Sequence, residues 1–165
     1  MKKILMMIMA AGILTACSEE ATEPKKPEEE SQQIETNTNE SGVNQIDTSV
    51  YEYASNVDIT DARELNNHIT LMIDMKTDNP GMAFQHVLNQ TYDFMQQSDI
   101  EGAETIGINV RVDGNKVGMF TAYPDKFIPN DDEPMSDAVL AASEIQMMTE
   151  EVEKFGETMG WKKDN

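Results

Sequence analysis

One stretch, residues 105 to 123, settles most of the architecture. Ile106, Ile108, Val110 and Val112 alternate with Thr105, Gly107, Asn109 and Arg111, and a period of two marks a strand with one face buried. Asp113-Gly114 follows, a pair that supplies the positive φ angles of a two-residue turn. Val117, Met119, Thr121 and Tyr123 then alternate on the return. The pattern predicts a β-hairpin, with Met119 on the apolar face, and Pro124 and Pro129 end it.

The same periodicity upstream places a strand at Ile69, Leu71, Ile73 and Met75, interleaved with Thr70, Met72 and Asp74. Asp78-Asn79-Pro80 then reads as a helix start, with a capping residue ahead of proline at the first helical position. Phe84, Val87, Leu88, Thr91 and Met95 share one sector of that helix, and His86, Gln90, Asp93 and Gln97 lie opposite. Val57 to Leu65 fits either a strand turning back across Asn66-Asn67 or a short helix. Pro129 to Pro134 reads as a loop and Met135 to Gln146 as helical. Thr149 caps a last helix that carries Glu150 and Glu151 in its first turn and Val152, Phe155 and Met159 on one face. Gly160 closes it and Trp161 packs back. The expected fold is a two-layer α+β sandwich: helix 80 to 97 across a small, mainly antiparallel sheet of three or four strands, with C-terminal helices. A helical connection between the strands at 68 to 76 and 105 to 112 allows one parallel pair.

The N-terminus follows a different grammar. Lys2 and Lys3 precede an apolar run, residues 4 to 16, which ends at Cys17 and a long hydrophilic stretch. This is the layout of an export signal. Thirteen helical residues reach only about 20 Å, short of a hydrocarbon core of ~30 Å. Leu14-Thr15-Ala16-Cys17 resembles the lipobox of bacterial lipoproteins. The resemblance covers the first 17 residues and implies cleavage between Ala16 and Cys17, with a covalent diacylglyceryl group on the Cys17 thiol and no other cofactor. Two acyl chains at ~0.8 kcal/mol per buried CH₂ hold a protein stably on a membrane.

Three regions follow: a signal peptide over 1 to 16, the lipidated cysteine with an acidic disordered linker over 17 to 45, and an α+β globular domain over 46 to 165. Residues 18 to 45 are rich in Glu, Ser, Thr, Asn and Pro and bury too little to offset ordering entropy. As flexible chain they would span about 30 Å.

Charge and cysteine usage remove several classes of function. The 165 residues carry 31 acidic and 12 basic side chains, net −19. Loss of Lys2, Lys3 and no acid takes the processed chain to −21. Nucleic acid needs a basic patch that this chain lacks. A single Cys rules out an internal disulfide framework and a multi-cysteine zinc site.

Chemistry has few candidates. His68 and His86 are the two histidines, no Gly-x-Ser-x-Gly elbow exists, and both rings read as surface residues. Asp131-Asp132-Glu133 concentrates oxygen ligands but lacks the spacing of a calcium loop. Met72, Met147 and Met148 with His68 offer soft ligands for copper(I), whereas Met75, Met95, Met119 and Met159 read as core fillers. A binding face is better founded: Thr70, Met72, Asp74, Thr105, Asn109 and Arg111 fall on the strand faces turned away from helix 80 to 97, unless the C-terminal helices cover them. Tyr51, Tyr53, Tyr123 and Trp161 are further candidate anchors. The expectation is an extracytoplasmic, membrane-anchored bacterial lipoprotein that binds a protein or envelope ligand without catalysis. An anchored envelope enzyme of hydrolase type is the second reading, and a metal or solute carrier the third.

Overall fold

The computed structural model describes residues 46–161. A strap over residues 46–53 leads into strand β1 (Ala54–Ala62), a one-turn helix α1 (Arg63–Asn66) and strand β2 (His68–Met75). Helix α2 (Pro80–Phe94) crosses to the hairpin β3 (Thr105–Val112) and β4 (Asn115–Ala122), and helix α3 (Met135–Ala141), strand β5 (Ser143–Met148) and helix α4 (Glu150–Met159) complete the chain. The sheet order is β1-β2-β3-β4-β5. Only β2 and β3 run parallel, joined through α2, and the other neighbours are antiparallel. The α+β sandwich with one parallel pair is therefore present, with five strands instead of three or four. No helix among the described residues is long and apolar enough to cross a membrane.

Local chemistry accounts for the element boundaries. The Asn79 side chain accepts from the Met82 amide at 3.0 Å, and Pro80 opens α2 without losing a hydrogen bond. Asp113 (φ 49°) and Gly114 (φ 75°) form the left-handed turn that the β3–β4 hairpin demands. The Val57 to Leu65 segment uses both of its options, a strand paired with β2 and then one helical turn ended by Asn67 at φ 55°.

The core lies between the sheet and one helical layer. Ile69, Leu71 and Ile73 of β2, Ile106, Ile108 and Val110 of β3, and Phe84, Val87 and Leu88 of α2 are fully buried. Helices α2, α3 and α4 pack together and share this one core with Phe120 and Ile145. Trp161 folds back beyond Gly160 (φ 80°) to lie 5.4 Å from Phe84 and 5.6 Å from Phe155, ring centre to ring centre. Thr149 occupies the N-cap position of α4 as expected, but its hydroxyl makes no capping bond.

Four expectations need correction. On β4 Val117 is buried as expected, but beyond it the buried set is Gly118, Phe120 and Ala122, not Met119, Thr121 and Tyr123. Val110 pairs with Gly118 while Arg111 pairs with Lys116, so Val117 is an extra residue that reverses the phase of the strand. Residues 143–148 are a strand, not the end of a helix. A second bulge, between the Met119–Met147 and Phe120–Ile145 pairs, spaces the buried Ile145 and Met148 three apart, which imitates a helical pattern. Gln90, expected on the polar side of α2, is only 9% exposed. Met159 is 39% exposed and does not fill the core.

The strap is tied to α2 and to the residues just after it. The Asp47 amide donates to Gln97 Oε1 (3.1 Å) and Gln97 Nε2 donates to the Asp47 carbonyl (2.8 Å). Thr91 spends its proton on the Val87 carbonyl (2.7 Å), so the Tyr51 hydroxyl is the donor in its 3.2 Å contact with Thr91. Burial pushes the Tyr51 phenol well above its ordinary pKa. Tyr53 then stacks on His86 at 4.4 Å, so that imidazole is half-buried instead of lying free in solvent.

Candidate interaction face

Strand pairing places Thr70, Met72, Asp74, Thr105, Asn109 and Arg111 together on the face turned away from the helices, for directly paired residues point the same way. Among the described residues no helix covers that face, since α2, α3 and α4 all pack on the other. The pairing extends into transverse rows: Thr60, Thr70, Gly107, Thr121 and Glu144 form one, and Asp58, Met72, Asn109, Met119 and Met147 the next. Asn109 holds the middle of the second row by donating from Nδ2 to the Leu71 carbonyl at 3.2 Å.

The two ends of the face differ. At one end Arg111 Nη2 meets Asp74 at 2.5 Å and Asp58 at 3.8 Å, and the hydrogen bond to Asp74 holds the guanidinium above its usual pKa. At the other, His68 Nδ1 and the Thr105 hydroxyl are 2.7 Å apart. The imidazole lies over Gly107, where a Cβ would come within 3.2 Å of the ring. This is a hydroxyl–imidazole pair, yet among the described residues no carboxylate bonds the ring to orient it as an acyl-transfer base requires.

The remaining candidates do not converge. His86 sits on α2, on the far side of the sheet from His68. Met72 and Met147 share the outer face but have Asn109 and Met119 between them, while Met148 points into the core, so the proposed thioether set is dispersed. Asp131, Asp132 and Glu133 lie exposed in a turn whose amides at 132 and 133 bond to Asn130 Oδ1. Among the described residues no three His, Cys, Asp or Glu side chains group to hold a metal. Tyr51 and Trp161 are core, and Tyr123 donates to Glu144 at 3.1 Å beneath Lys126. Ala16 and Cys17 lie outside the described residues.

Sequence reasoning missed Arg63. Its Nε bonds both Asp61 oxygens (2.9 and 3.0 Å) and Nη1 donates to the Asp99 and Glu101 carbonyls (2.7 and 2.8 Å). The guanidinium holds Asp61 below the usual carboxylate range. It ties the end of β1 to the loop after α2, beside an open cavity of about 740 Å³ lined in part by Leu65 and Gly102. Nothing in the local sequence marks a contact 36 residues away. Met119, Thr121 and Met147 were also missed as members of the outer face, because both bulges hide the phase of their strands.

No protein-family model, curated protein or solved structure matches this chain.

Proposed function

We propose that this chain is a bacterial lipoprotein, anchored outside the cytoplasm through a diacylglyceryl group on Cys17, whose globular domain binds a protein of the envelope through the outer face of its sheet. The carrying observation is the uncharged centre of that face: Thr70, Gly107, Thr121, Met72, Asn109, Met119 and Met147 are contiguous and bear no charge, in a chain that is 26% charged. Cores of protein interfaces are depleted in charge, enriched in Met and bounded by a polar rim. The lipobox resemblance at Leu14 to Cys17 supports the anchor. No cofactor or catalytic step enters this reading.

A photo-crosslinking residue at position 109 in the full chain, expressed in its own envelope, should capture a discrete partner. The same residue at position 157, exposed on α4, should not. Equal capture from both positions, or none from 109, defeats the reading.

A further inference from the structure

The composition of this face also bears on what occupies it. Its charges stand at the margins: Asp58 closes the β1 end of the methionine row with 63% of its side chain exposed, and Glu144 closes the β5 end of the threonine row. Arg111 is bonded to Asp74 and also lies 3.8 Å from Asp58, and Glu144 accepts from the Tyr123 hydroxyl. Lys116 leans on the Met119 sulfur at 3.7 Å. Asp58 and Glu144 each keep capacity for a further cation only on their exposed sides. The chain as a whole carries 31 acidic against 12 basic residues. A second copy of the chain, or an anionic lipid surface, would set like charge against like. Three unbranched thioether side chains in one row can reshape around varied aliphatic groups.

Resting on the reading of this face as the binding surface, we propose that its occupant is a cationic amphipathic segment of another protein. Its aliphatic side chains lie over Met72, Met119 and Met147, and its Lys or Arg side chains meet Asp58 and Glu144. From Met72 to Met147 the row crosses three inter-strand spacings, about 14 Å, which a helical segment of about ten residues spans. The thioether row supplies contact area, and the carboxylates set orientation and speed encounter.

The test is nuclear magnetic resonance of the full chain in phosphatidylcholine nanodiscs, labelled with ¹³C at the methionine methyls. The probes are a synthetic Lys/Leu amphipathic peptide, its Glu/Leu counterpart and oligolysine. The Lys/Leu peptide should shift Met72, Met119 and Met147 and leave Met82, Met135 and Met159, exposed on the helical side, in place. Changing Asp58→Lys and Glu144→Lys together should weaken that binding about fivefold, with unshifted Met75, Met95 and Met148 showing an intact core. If the Glu/Leu peptide binds the same three methyls as well or better, the cationic class is overturned while the face survives as a binding surface. Equal shifts from oligolysine would reduce the effect to charge and overturn the proposal. Shifts confined to the helical side, or none with any probe, would overturn the proposal and remove support from the face itself.

Discussion

At the scale of single residues the fold depends on absent side chains as much as on present ones. A Cβ at Gly118 would run into the ring of Phe84, which is fully buried between α2 and the sheet. Alanine would ordinarily suit a strand better than glycine, but here the overlap decides the sign. Gly118→Ala should cost about 1–3 kcal/mol of stability in chemical denaturation. Phe84→Leu added to it should recover part of that loss, a non-additivity expected for residues in contact. Strictly additive losses would show that the two positions do not meet. Phe84 was legible on the apolar sector of its helix, but Gly118 was not, because the bulge at Val117 had put it on the wrong face. The turn residues were legible for the opposite reason: Asn79-Pro80 and Asp113-Gly114 act through their own backbone geometry and need no distant partner.

At the scale of elements, what the sequence disclosed follows from whether a pattern stays in phase. β2 and β3 keep period two without interruption and their buried faces match the alternation residue by residue, whereas α2 buries the expected Phe84, Val87, Leu88 and Thr91 and also Gln90 and Tyr92. β4 and β5 each hold a bulge, so one lost its face and the other its identity as a strand. The six-residue face on β2 and β3 was readable because both strands are regular, and its extension through Met119 and Met147 was not. The strap has no periodicity and reveals itself only through long-range bonds to α2. Its grip on α2 should depend on pH at the alkaline end. Tyr51 stays protonated in the fold because burial raises its pKa, whereas the unfolded phenol ionises near pH 10. Folding thus retains a proton that the unfolded chain loses, and stability falls as pH rises past about 10. Tyr51→Phe forfeits the bond to Thr91, worth about 1 kcal/mol at neutral pH. The advantage of the native chain over this variant should shrink in urea midpoints taken above about pH 10, and a constant gap would contradict the assigned burial.

At the scale of the whole molecule, the anchor and the domain make separable claims. Replacing Cys17→Ala should abolish incorporation of radiolabelled palmitate and leave the precursor unprocessed, while the fold of 46–161, which does not include that residue, stays unchanged by circular dichroism. Palmitate entering the variant would refute the anchor. The chain enters its domain at Ile46, and Asp47 grips Gln97 just past the end of α2, on the helical layer. Any mechanical load arriving along the backbone from residue 45 is therefore taken up first by the two hydrogen bonds between Asp47 and Gln97 and by the buried Tyr51, in the manner of a harness buckle. The five-stranded plate behind it feels traction only after that buckle has slipped.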